Sequence, residues 1–165
     1  MTIMSGGNGS DTLTGSSSND TISGGNGQDT LDGGAGNDIL SGGNGDDSLL
    51  GSSGNDTLYG DNGDDLLDGG AGADTVYGAS GNDTAIYVVS ENAGDSDVYD
   101  GGKGVDTLRL VLTESQNASA AVQDDIQAYL AFLALYANSG TTDIARAPHH
   151  GGNHAVRLTE TRFSS

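Results

Sequence analysis

Cysteine is absent from the 165 residues, so no disulfide framework can staple the chain, and thiols say nothing of its redox compartment. Positive charge is scarce as well. Five lysines and arginines face 24 acids, for a formal net charge of −19, and none of the five precedes Lys103. Phosphate neutralisation needs those residues, which argues against nucleic acid and other polyanions as partners. Apolar residues make up only 33 %. The one long uncharged stretch, Ile126–Ala137, falls short of the roughly 20 residues that a membrane span needs. Met1–Ser5 is too short and too polar for a secretory signal and reads as a disordered N-terminus, a start placed on a fragment. By composition residues 1–102 stand with chains too charged and too poor in apolar surface to offset the entropy of ordering.

What the chain has instead is glycine, 29 of them, and aspartate in strict phase. From Gly6 to Tyr77 nine residues recur eight times without insertion or deletion, beginning GGNGSDTLT, GSSSNDTIS, GGNGQDTLD and GGAGNDILS. Position one is always glycine, position six always aspartate, and position eight always aliphatic (Leu13, Ile22, Leu31, Leu40, Leu49, Leu58, Leu67, Val76). Position three alternates between asparagine (Asn8, Asn26, Asn44, Asn62) and serine or alanine (Ser17, Ala35, Ser53, Ala71), so the structural unit is eighteen residues. Gly6–Ser41 and Gly42–Tyr77 share 23 of 36 positions, an internal duplication. Self-similarity at such a period marks a solenoid.

Glycine at positions one, two and four permits positive φ and close backbone approach. The aspartate supplies hard carboxylate oxygens and the turn supplies carbonyls, a donor set that suits calcium. The last three residues of a nonamer, such as Thr12-Leu13-Thr14, alternate polar and apolar and predict a very short strand with its middle side chain inward. Turn, strand, turn and strand then close one coil. Aspartates that only cap turns are the plainer reading, but capping does not demand aspartate in every repeat.

The pattern GGxGxDxUx resembles the calcium-binding nonapeptide of the RTX proteins, strictly from Gly6 to about Asp83 and loosely to Leu110. The resemblance implies an all-β solenoid, a right-handed parallel β-roll with calcium between the loops of neighbouring coils. Its ligands would be the aspartates of position six and the main-chain carbonyls of positions one to four. One edge would then hold Asp11, Asp29, Asp47, Asp65 and Asp83, and the other Asp20, Asp38, Asp56 and Asp74. The carbonyls would come from Gly24, Gly25, Asn26 and Gly27, then from Gly33, Gly34, Ala35 and Gly36. Next come Gly42, Gly43, Asn44 and Gly45, followed by Gly51, Ser52, Ser53 and Gly54. Gly60, Asp61, Asn62 and Gly63, with Gly69, Gly70, Ala71 and Gly72, complete the set. One ion per stacked loop pair gives about seven sites in the regular part. The departures from the pattern are Ser18 at position four, and Ser16, Ser52, Asp61 and Ala79 at position two.

The regular roll is expected over residues 6–86, degenerate repeats over 87–112 and a capping segment over 113–165. Gly78–Ile86 keeps the loop but puts Ala85 at the core position, and five extra residues, Tyr87–Glu91, precede the next repeat. Asp97 and Asp106 are further ligand candidates there. Val122, Ile126, Tyr129, Leu130, Leu133 and Tyr136 follow the helical period and predict a helix over about 118–138 that covers the last coil. His149, His150 and His154 lie in a loop broken by Pro148, with no cysteine and no carboxylate at helical spacing to make a transition-metal set. Ala155–Phe163 alternates as one last strand.

No HExxH, GxSxG or phosphate loop is present, and nothing reads as catalytic. The expected function is that of a calcium-binding module, unfolded without the ion and folding on binding it. The resemblance further implies export through a type I apparatus, guided by a C-terminal signal, to the exterior or surface of a Gram-negative bacterium. It is expected to act as a monomer. The alternative is an adhesion module whose flat face binds an uncharged polysaccharide or ice. The threonine ladder that ice would need (Thr12, Thr21, Thr30, Thr57, Thr75, Thr84) is interrupted by Ile39, Ser48 and Leu66.

Overall fold

The computed structural model describes residues 1–88, 97–111 and 157–159. The strands in chain order are β1 (Ile3–Asn8), β2 (Thr12–Ser16), β3 (Thr21–Asn26), β4 (Thr30–Gly34), β5 (Ile39–Asn44) and β6 (Ser48–Leu50). They continue with β7 (Thr57–Asn62), β8 (Leu66–Asp68), β9 (Thr75–Ser80), β10 (Thr84–Val88), β11 (Val98–Lys103), β12 (Thr107–Val111) and β13 (Arg157–Thr159). Odd-numbered strands form one seven-stranded sheet and even-numbered strands one six-stranded sheet, each in simple chain order. All neighbours pair in parallel, and Ile22↔Leu40 and Leu40↔Leu58 set the register one eighteen-residue coil apart. The result is an all-β solenoid, a parallel β-roll. Among the described residues no helix is long and apolar enough to cross a membrane.

Side chains alternate across a strand, so only position eight of each nonamer points between the sheets. Ile22, Leu31, Leu40, Leu49, Leu58, Leu67 and Val76 are all buried there, with Met4, Leu13, Ala85 and Leu108 packed against them. The core is therefore two files of aliphatic side chains, one per sheet. At the degenerate end Ala85 fills less of its file, and Tyr87 and Tyr99 make up the volume. Both are buried, and their rings meet edge to face with centroids 6.2 Å apart.

Strands in the larger sheet are longer than the three residues expected. β3, β5, β7 and β9 each run for six, because positions one to three continue to pair, as in Gly25↔Gly43 and Asn26↔Asn44. On the opposite edge β6 and β8 keep three residues, and Ala35, Ser53 and Ala71 meet only through isolated bridges. Asparagines add side-chain bonds along the larger-sheet edge, although β9 and β11 reach the same six residues with Ser80 and Lys103 in that place. Asn26 Nδ2 donates to Asn8 Oδ1 at 2.8 Å, Asn44 to Asn26 at 2.8 Å and Asn62 to Asn44 at 3.1 Å, an amide ladder along one edge.

Ile3–Ser5, expected to lie outside the roll, belong to β1 and pair with Thr21–Ser23 of β3. Thr2–Ser5 keep the phase of positions six to nine, so Met4 falls at an inward position. At the other end Arg157–Thr159, within the expected last strand, pair in parallel with Val98–Asp100. The helix expected over 118–138 lies outside the described residues, as do His149, His150 and His154.

Candidate metal centre

Every position-six aspartate stands where a turn enters a strand, and the coils stack these residues into two rows. In the first row the main-chain N–H of Asp11 donates to Asp29 Oδ1 at 2.8 Å, Asp29 to Asp47 at 2.7 Å and Asp47 to Asp65 at 2.8 Å. The row goes on from Asp65 to Asp83 at 2.9 Å and from Asp83 to Asp106 at 3.0 Å. In the second, Asp20 donates to Asp38 at 2.6 Å, Asp38 to Asp56 at 2.7 Å, Asp56 to Asp74 at 2.8 Å and Asp74 to Asp97 at 2.9 Å. Asp97 and Asp106 thus continue the two rows across the five-residue insertion. In each acceptor of these pairs one carboxylate oxygen is spent on holding the preceding coil.

The other oxygen is not. Oδ2 of Asp11, Asp29, Asp38, Asp47, Asp56, Asp65 and Asp83 is buried and has no hydrogen-bond partner. It lies beside the position-one glycine of its own loop. A Cβ placed on Gly33 would sit 2.6 Å from Asp38 Oδ2 and 2.9 Å from the carbonyl oxygen of Gly51, one coil further on. The same two kinds of oxygen converge beside Gly24, Gly42, Gly51, Gly60 and Gly78. The invariant glycine is therefore the empty wall of an oxygen-lined cradle.

Buried carboxylates without compensating charge resist ionisation. Burial, reinforced by Asp74 and Asp38, raises Asp56 to about 7. Burial also raises Asp65 to about 7 and Asp83 to about 6, with repulsion from neighbouring aspartates adding to each. Asp38 and Asp47 move in the same direction for the same reason.

Main-chain torsions shape the turns. Positions two and four take positive φ in every described loop but that of Gly15–Asp20, as at Gly43 (110°) and Gly45 (124°). Ser52, Asp61 and Ala79 hold it at 76°, 73° and 77° although they carry a side chain. Two of these have a partner one coil back, which the sequence pattern did not reveal: Ser52 Oγ donates to Asp32 Oδ1 at 2.9 Å, and Ser41 Oγ to Asp61 Oδ2 at 2.6 Å. Part of the expected carbonyl set also serves the stack. Asn44 and Asn62 accept from Gly27 and Gly45 at 2.7 and 2.8 Å, and Gly34 and Ser52 accept from Ser53 and Ala71 at 3.0 and 2.9 Å. A carbonyl oxygen has two lone pairs, so each of these main-chain bonds uses one, and at Gly34 the Ser53 hydroxyl also approaches at 3.5 Å.

Two aspartates differ from the rest. Asp20 Oδ2 accepts from Ser16 N at 2.8 Å and Ser16 Oγ at 2.7 Å, while its Oδ1 accepts from Thr2 N. The Ser16 hydroxyl is the main reason its pKa falls to about 2. Asp97 Oδ2 lies 3.2 Å from the hydroxyl of Tyr99, which is also 3.2 Å from the Ile86 carbonyl. Burial and that carboxylate push the phenol well above its usual range.

A cation that takes oxygen ligands fits at Asp11, Asp29, Asp38, Asp47, Asp56, Asp65 and Asp83: a buried carboxylate oxygen without a hydrogen-bond partner, a facing carbonyl and no steric barrier between them. Hard, many-oxygen coordination is calcium's preference. Among the described residues no three acidic, histidine or cysteine side chains are grouped so as to hold a metal ion by themselves. The donor set here is one carboxylate per loop with main-chain carbonyls, which such a cluster would not capture. A profile of the RTX calcium-binding nonapeptide repeat matches in four copies, over residues 5–40, 23–58, 41–74 and 50–85. Among curated proteins, none matches the chain.

Proposed function

Because residues 5–85 belong to the RTX calcium-binding nonapeptide-repeat family, we propose that this chain is a calcium-triggered folding module. Position-six aspartates and facing main-chain carbonyls hold the ions, about seven in the regular part at one per stacked loop pair. The observation that carries the reading is the buried, partnerless Oδ2 repeated through both rows. Calcium bound there would supply the positive charge that these carboxylates lack. Without it the protein must bury two rows of like charge or keep protons on them, against a core only two side chains wide. The roll is then disordered in a calcium-poor compartment and folds cooperatively where calcium is abundant, as coupling of ligand binding to folding requires. Extracellular calcium modules work at about 10⁻⁴–10⁻³ M, which supports a reading in which this step follows export, through a type I apparatus, to the cell exterior.

The test is far-UV circular dichroism through a calcium titration from chelated protein, with magnesium in parallel. A steep gain of β signal with calcium alone is expected. A chain already rolled in chelator and unmoved by calcium would sink the reading.

A second reading has one observation behind it. Tyr59 and Tyr77 stack on the outer face of the larger sheet with centroids 5.1 Å apart and rings within 8° of parallel. Aromatic rings on a flat sheet suit an uncharged glycan. Retention on such a glycan column, lost in Tyr59→Ala, is the result expected of it.

A further inference from the structure

The second nonamer, Gly15–Ser23, departs from the others in two independent ways. Its loop takes no positive φ at Ser16 or Ser18, whereas the other described loops do so at both positions two and four. Its aspartate also lacks the open oxygen: Asp20 Oδ2 is held by the main-chain N–H and the hydroxyl of Ser16, at 2.8 and 2.7 Å. Asp20 Oδ1 is bonded to Thr2 N, and the terminal ammonium of Met1 lies 3.9 Å away. No lone carboxylate oxygen is left facing the turn.

The geometry points to Ser16 as a built-in substitute for an ion. The loop Gly15–Asp20 closes on its own serine and takes no calcium, so ion loading in the second row begins at Asp38. The second row then starts from a calcium-independent loop, on which its ion-dependent loops stack. This rests on the calcium reading of the other loops. It assigns the serine substitutions a purpose: the hydroxyl and N–H donate to the carboxylate that elsewhere waits for a cation. It also makes the two rows unequal, since Asp11 of the first row keeps its buried, partnerless Oδ2.

Calcium stoichiometry by titration calorimetry on the full chain tests it, with three variants. Asp20→Asn should leave the ion count unchanged, and Asp38→Asn should lower it. Ser16→Gly combined with Ser18→Gly, which restores glycine at positions two and four, should add an ion, and Asp20→Asn in that background should remove it. An unaltered count in the double-glycine variant, or a loss of an ion in Asp20→Asn alone, would overturn the inference while leaving the calcium function intact. A wild-type chain that binds no calcium overturns both.

Discussion

The main-chain N–H of Asp29 donates to Oδ1 of Asp47, one coil later, at 2.7 Å. The same carboxylate leaves Oδ2 buried and without a partner. One side chain thus has a structural half and a vacant half, and the two can be separated by substitution.

Asp47→Asn keeps an oxygen for the Asp29 N–H but removes the charge. It should raise the calcium midpoint and remove an ion, while easing the folding of chelated protein. Asp47→Ala also strands a buried N–H, at a cost of about 1–3 kcal/mol, and should lower stability with and without calcium. Circular dichroism in chelator and in calcium separates the two. An asparagine variant with unchanged midpoint and ion count would refute the ligand role.

Gly33→Ala puts a methyl 2.6 Å from Asp38 Oδ2 and 2.9 Å from the Gly51 carbonyl. Overpacking of this kind costs about 1–3 kcal/mol, and here it also fills the ion's place. The calcium transition should become shallower and lose an ion. Normal stoichiometry in this variant would show that the cation sits elsewhere.

Leu40 is completely buried in a file that is one side chain wide. Leu40→Ala should cost about 2–5 kcal/mol, read as a higher calcium midpoint with no change in ion number. A reduced ion count at saturating calcium would contradict this division between core and site.

Acid should partly replace calcium. Asp56 and Asp65 titrate at about 7 in the roll and Asp83 at about 6, against 3.8 for an unperturbed aspartate. A raised folded pKa means that the roll binds the proton more tightly than the open chain does. The penalty from these groups is absent below about pH 4, grows as pH rises and is complete above about pH 7. Asp20, lowered to about 2, has the opposite sign but acts only below that window. Chelated protein should show more β signal at pH 5 than at pH 8, to choose two points in about this range. Calcium should bind more tightly at the higher pH, where fewer protons compete. A β signal that increases with pH in chelator would reverse the sign and defeat the argument.

Period and phase were legible because a solenoid repeats its contacts as it repeats its residues. The inward file at position eight, the two aspartate rows and the return to register at Asp97 and Asp106 all follow from counting. Ser16 was visible only as a departure from glycine. That its hydroxyl reaches Asp20 depends on where the altered loop turns, which periodicity does not encode. The six-residue strands escaped notice for a related reason: Gly-Gly-Asn reads as turn in isolation, and becomes strand only when a segment of the same phase lies alongside. Tyr87 meeting Tyr99 edge to face is likewise a contact across the insertion, outside any local pattern.

The core, only two side chains wide, has a mechanical consequence. Each coil touches little besides its two neighbours, so damage at one coil does not propagate through a common interior as it does in a globule. A fault at Leu40 or Asp47 should act like a bad joint in a column, dividing it into two shorter lengths that each retain their own fit. Resistance to being pulled open or clipped by a protease should then be set by the weakest joint and not by the number of coils.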